Sequence, residues 1–317
     1  MLYGKYQFRC QLENGAVMPF YKGSTFRGVF GHALKRVVCA LKRQECEECI
    51  LKNRCVYALV FETPLALEMP EGSRNSSPPH PFVIEPPLTE DTRFPQGSFF
   101  DCNLILFGET NNSLPYFVYA FDQMGKIGIG KRVNGHRGQF VLKKVSTGNR
   151  QLYSDTDQKL NQSDATQYFS FPVNHGNTEG HSKDVSRIRI TLETPLRLKF
   201  KNRLKADLPF HVLVRAMLRR ISSLFSIYGN GEPELDYKGL TRRAENIRVV
   251  DNALEWSDWR RYSNRQEQSM FMGGMTGAVV YEGELAEYLP LLEFAEKAHL
   301  GKSTSFGLGK IKAEISS

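Results

Sequence analysis

Two stretches decide how this chain is read: Gly125-Lys126-Ile127-Gly128-Ile129-Gly130, and Gly301-Lys302-Ser303-Thr304-Ser305-Phe306-Gly307-Leu308-Gly309. Each follows a segment of helical periodicity and leads into a strand-like run, Gln139 to Val145 in the first case and Lys310 to Ile315 in the second. A Gly-Lys pair that recurs in the same place, followed by a second glycine pair, marks an internal duplication. Upstream of the first loop, Lys5 to Leu12 alternates, with Tyr6, Phe8, Cys10 and Leu12 on one face. Apolar residues Phe26, Val29, Phe30, Ala33, Leu34, Val37, Val38 and Leu41 then predict a helix over 25–41. Strands are expected at Val56–Phe61 and Asn103–Phe107, a loop over Pro70–Pro87, and a helix from Pro115 to Gly125. The second half repeats this order. It has a strand at Arg187–Leu192 and a long helix capped by Asp207 and ending near Tyr228. Strands follow at Asn246–Val250 and Gly277–Tyr281, then a helix over Glu284–His299. Two βαββαβ units in an α+β fold account for the pattern. They would span residues 1–145 and 187–317, joined by a polar linker over 146–186.

The chain has 317 residues and a net charge of +8, which favours a polyanionic partner such as nucleic acid. No apolar run approaches the ~20 residues of a membrane span, and Met1 to Leu12 lacks a signal-peptide core. A cytoplasmic protein with no membrane partner is expected. Four of the six cysteines lie close together as Cys39-x6-Cys46-x2-Cys49-x5-Cys55. In that compartment such a cluster points to a metal rather than disulfides. Four thiolates predict a closed structural zinc site, with an iron–sulfur cluster as the alternative.

The first helix carries a second face with Gly28, Gly31, His32 and Lys35, flanked by Arg27 and Arg36. Each helical glycine costs roughly 1 kcal/mol against alanine, so two on one face imply a close approach, by an RNA backbone or by a packed neighbour. RNA brings its own nucleophile, the 2′-hydroxyl. Cleavage then needs an acid and a base, which histidine supplies near neutrality, and positive charge at the phosphate, with no catalytic metal. The glycine loops are neither a P-loop nor a dinucleotide site. Arg132 stands where a P-loop has Ser or Thr, and the order is helix-loop-strand. Anion binding remains, through Gly301, Lys302, Ser303, Thr304, Ser305, Gly307 and Gly309, and in the first half through Lys126, Arg132 and Arg137. Arg215, Arg219 and Arg220 on the long helix, with Arg242, Arg243, Arg260 and Arg261, form a candidate RNA surface.

The runs Gly23-Ser-Thr-Phe-Arg-Gly-Val-Phe-Gly-His32, Gly125–Phe140 and Gly301–Gly309 resemble the RAMP proteins of CRISPR systems. The closest resemblance is to the precursor-CRISPR-RNA processing endoribonuclease of the Cas-six type. It implies two ferredoxin-like domains and metal-independent cleavage within the repeat, giving a 2′,3′-cyclic phosphate and a 5′-hydroxyl. It implies repeat RNA and CRISPR effector subunits as partners, and His32 as the catalytic histidine; helper residues vary across the family, and Lys35, Arg36, Arg27 and Tyr21 are the candidates here. The cysteine cluster resembles one branch of the family only. The alternative is a RAMP subunit that coats RNA without cutting it.

Overall fold

The computed structural model describes residues 1–42, 44–71, 77–163, 165–171, 185–198, 206–263 and 268–316; of 260–263, 268–271 and 316 it describes the backbone alone. His175 and His181 fall outside the described residues. The chain forms two compact units, residues 1–169 with 226–231, and residues 170–225 with 232–317.

The first unit opens with β1 (Leu2–Leu12), a short β2 (Ala16–Val17) and α1 (Gly23–Val38). Two short helices follow, α2 (Val56–Phe61) and α3 (Thr63–Ala66), then β3 (Phe82–Glu85), β4 (Arg93–Phe94) and β5 (Phe99–Phe107). The helix α4 (Leu114–Ile127) leads into a small hairpin, β6 (Ile129–Val133) and β7 (His136–Gly138). A second hairpin, β8 (Phe140–Thr147) and β9 (Arg150–Ser154), and a short β10 (Gln167–Tyr168) complete it. The main sheet has the antiparallel order β3-β5-β1-β8-β9. Its first four strands give the order of a ferredoxin-like βαββαβ unit. Tyr6, Phe8, Cys10 and Leu12 all point into the core, where Phe8 stacks on Phe121 of α4 at 4.1 Å and Phe30 of α1 lies 5.1 Å from Phe121.

Three local readings are corrected. The run Val56–Phe61 is helix, not strand. Six consecutive apolar residues carry no period, and the helical turn lets Tyr57 stack on Phe61, their rings 5.4 Å apart. The segment Pro70–Pro87 contains β3, whose four residues are all buried. The prolines bracket this strand instead of interrupting it, as they do at a sheet edge. The polar stretch after Val145 is not all linker: β8 continues to Thr147 and turns into β9, burying Leu152. Gly125 stays inside α4, with the Phe140 carbonyl 2.0 Å from where a Cβ would stand, and Gly128 ends the helix at φ 80°.

The second unit contains β11 (Arg187–Leu196), α5 (Phe210–Tyr228), α6 (Tyr237–Arg243), β12 (Arg248–Ser263), β13 (Gln268–Glu282), α7 (Leu289–Ala298) and β14 (Ile311–Ser316). The strand order β12-β13-β11-β14 matches that of the first unit. The two strands expected at 246–250 and 277–281 are the open ends of one long hairpin. The α5 helix starts after Pro209, whose carbonyl receives the Val212 and Leu213 amides, so Asp207 precedes the cap instead of forming it. The last helix begins at Leu289 after a 3-10 turn, with a proline in its first turn. Among the described residues no helix is long and apolar enough to cross a membrane.

Candidate active site

The α1 helix buries Phe26, Phe30, Ala33 and Leu34 and leaves His32 exposed. Near its C-terminal end lies a cleft of about 520 Å³, lined by His32, Lys35, Arg36, Val37, Cys39, Lys42, Tyr119 and Gln123. Three of the proposed catalytic residues, His32, Lys35 and Arg36, therefore share one cavity. Lys42, just beyond the helix, adds another cation, and α4 supplies Tyr119 and Gln123. None of these last three stood out in the sequence. Lys42 follows the end of the helix, and Tyr119 and Gln123 read only as the solvent face of another helix. The Lys35 ammonium sits 5.4 Å from the centre of the Tyr57 ring, which fixes its direction.

Two expected helpers lie elsewhere. Tyr21 precedes the first turn of α1, and the nine residues from Gly23 to His32 place the histidine about 13 Å further along the axis. Burial and the nearby Glu85 charge push the Tyr21 hydroxyl well above the usual tyrosine range. Arg27 is packed over the rings of Phe61 and Phe82, at 5.0 and 5.8 Å, and donates to His80 Nε2 at 3.4 Å. It braces the core edge and does not line the cleft.

The two helical glycines also separate. A Cβ on Gly31 would stand 2.7 Å from the Phe61 ring, so this glycine exists for the packing of α2 on α1. Gly28 is exposed, with nothing within 4 Å of an added Cβ. Of the two, only Gly28 suits the approach of a backbone from outside.

The candidate RNA-contacting residues fall into three groups. The β6–β7 hairpin turns at Asn134-Gly135, both with positive φ, and exposes Lys131, Arg132 and His136 beside the half-buried Arg137. Lys126, on the last turn of α4, is bound to Asp122 at 2.8 Å. On α5, Arg219 is exposed and Arg215 faces Glu245 at 3.7 Å. Arg220, by contrast, is buried and donates to the Ala298 carbonyl, and Arg243 is held by Asp236 and Glu287. These two build the unit instead of displaying charge.

The C-terminal glycine loop is stitched into its own unit. The amides of Lys302, Phe306, Gly307 and Gly309 donate to Arg197, Ser303, Thr304 and Pro195 carbonyls, and Thr194 Oγ1 donates to the Gly307 carbonyl at 2.8 Å. His299 is fully buried with Nδ1 3.1 Å from the Leu308 carbonyl, so it supports the loop from inside. Those amides are occupied, and the anion-binding reading narrows to the exposed Lys302 and Ser303 and the half-buried Thr304. Gly301, Gly307 and Gly309 hold φ of 76°, 82° and 75°, and Ser305 is buried.

The four clustered cysteines are free and half-buried. Burial raises the Cys46 thiol, which lies near enough to Lys35, Glu62, Cys55 and Cys39 for their charges to act on it. Among the described residues no three His, Cys, Asp or Glu side chains are arranged to hold a metal ion. The arrangement therefore gives the zinc expectation no support.

Residues 1–165 match the family model AF_1859_N, an N-terminal domain, and residues 190–311 match the model of the CRISPR-associated endoribonuclease Cas6. An uncharacterized protein of Archaeoglobus fulgidus is 23% identical over 295 residues, covering 92% of this chain and 91% of that one. Among solved structures, a Cas6 product complex matches with a TM-score of 0.54 at 12% identity, over 98% of this chain and 100% of that one. Thermus thermophilus Cas6 gives 0.53 at 11%, over 99% and 98%. A partial Cas6-RT-Cas1–Cas2 complex gives 0.59 at 12%, over 99% of this chain and 46% of that one. At such identities the structural likeness is one of fold, and it agrees with the tandem ferredoxin-like order of the two sheets. The chain therefore carries an AF_1859_N N-terminal domain over residues 1–165 and, over residues 190–311, a domain of the CRISPR-associated endoribonuclease Cas6 family.

Proposed function

We propose that this protein cuts precursor CRISPR RNA within the repeat by attack of a 2′-hydroxyl on the adjacent phosphorus, with His32 as the proton-transfer group. The P–O5′ bond breaks as the new P–O2′ bond forms, leaving a 2′,3′-cyclic phosphate and a 5′-hydroxyl. The observation that carries this reading is the cleft in which His32 meets Lys35, Arg36 and Lys42. An imidazole moves a proton near neutrality, and the cations offset charge gathering on the phosphorane. Nothing in this step calls on a metal ion. Charged residues of the β6–β7 hairpin, Lys126, Arg215, Arg219 and the Lys302–Thr304 edge of the glycine loop are proposed to hold the rest of the RNA.

Synthetic repeat RNA from the CRISPR array of the same genome tests the reaction type. With an ordinary ribose at the cut site, the downstream product should carry a 5′-hydroxyl that polynucleotide kinase labels directly. With a single 2′-deoxy substitution at the nucleotide before the cut, cleavage there should stop. Cutting of the deoxy substrate at the same bond would rule out the internal nucleophile.

A further inference from the structure

The cleft beside His32 has one wall that proton transfer does not use. Tyr119 and Gln123 line it from α4, one helical turn apart. Their neighbours Phe117 and Phe121 are fully buried, yet Tyr119 is 55% exposed. An aromatic ring left half in water gives up burial that would otherwise stabilise the fold. Beside a cationic groove, such a ring is the surface on which single-stranded RNA bases stack, because every base presents a π-face. The volume, about 520 Å³, falls within the roughly 300–1,000 Å³ of sites that enclose one small ligand. Arg36 and Lys42 lie in the same cavity to meet the phosphate, with Lys35 beside them over the Tyr57 ring. Gln123 is oriented: its Nε2 donates to Asp122 at 3.0 Å, and Asp122 is itself held by Lys126 at 2.8 Å.

We infer that Tyr119 is a stacking platform for an unpaired nucleobase next to the cleaved phosphate, and that Gln123 presents its amide to the edge of that base. This rests on the reading of His32 as the group at the scissile phosphate. It adds a substrate requirement: one nucleotide flanking the cut must be unpaired and splayed onto α4. Sequence preference at the cut would then come from α4, and not from α1.

The test uses repeat RNA with a 2′-deoxy nucleotide before the cut, carrying 2-aminopurine at either position flanking the bond. Binding should quench the fluorophore at one of the two positions in the parent and in Tyr119→Phe, and not in Tyr119→Ala. On ordinary repeat RNA, single-turnover cleavage should fall about tenfold or more in Tyr119→Ala, within the range that stacking of one base provides, and Tyr119→Phe should recover most of the loss. An abasic nucleotide at the quenched position should slow the parent by a similar factor and slow Tyr119→Ala no further. Absence of quenching at both positions overturns the inference, as does Tyr119→Phe cutting as slowly as Tyr119→Ala, which would make the hydroxyl the acting group. Unchanged cleavage in Tyr119→Ala sinks the platform alone. A parent protein that quenches the probe but cuts no repeat RNA sinks the endoribonuclease reading and leaves the platform standing.

Discussion

Gly28 and Gly31 are three residues apart on one helix and do different things. The Phe61 ring that fills the space above Gly31 is itself fixed by Tyr57, Phe30 and Phe82, so it has little room to give. Gly31→Ala should therefore destabilise the first unit by about 1–3 kcal/mol, the usual cost of overpacking. Gly28→Ala meets open space and should stabilise the helix by up to about 1 kcal/mol. Urea unfolding of the two variants should give midpoints on opposite sides of the parent. Two midpoints moving the same way would mean that the glycines share one role. The sequence showed that both glycines needed a reason, but both reasons looked alike, because the partner of Gly31 is a ring thirty residues away on a helix that read as a strand. His32 was legible for the converse reason. Its neighbours form an unbroken apolar stripe, and a titratable residue off that stripe must face outward.

Secondary structure was legible where a period was long enough to count. The α1, α4 and α5 helices and β1 each show their period over several turns or alternations. The α2 helix and β3 do not, since six and four apolar residues fit either geometry and only the neighbours decide. The glycine loop was recognised as an element, but the sequence could not show that the amides of Lys302, Phe306, Gly307 and Gly309 were already bonded. On this account Lys302→Ala should weaken repeat-RNA binding several-fold and flatten its salt dependence, while leaving the cleavage rate of bound RNA close to the parent's. Affinity measured across salt concentrations checks this, and an unchanged slope would make the loop a turn and nothing more. The cysteine segment makes a separate prediction. If Cys39, Cys46, Cys49 and Cys55 close around zinc in solution, elemental analysis should find about one metal per chain. Cys46→Ser with Cys49→Ser should then lower thermal stability before it lowers activity. Less than half a metal per chain, with all four thiols titratable in the folded protein, leaves four ordinary cysteines.

Across the molecule, the repeated Gly-Lys loops pointed to the duplicated sheet order, and both sheets have it. The length of the β12–β13 hairpin was not visible. The far part of β12 carries Trp256, Trp259, Arg260 and Arg261 without a clean alternation, so only the open ends read as strand. The +8 charge anticipated a polyanionic partner, but its placement needed the fold, since Arg220 and Arg243 are structural and Lys42 belongs to the cleft. The central claim is that the His32 cleft cuts RNA by proton transfer alone. Single-turnover cleavage of repeat RNA in excess EDTA, with parent and His32→Ala side by side, tests it most directly. The parent should cut at an undiminished rate, while His32→Ala should bind within a few-fold of the parent and cut at least about 100-fold more slowly. A parent that falls silent until magnesium is restored, or a His32→Ala variant that keeps the parent's rate, would contradict it.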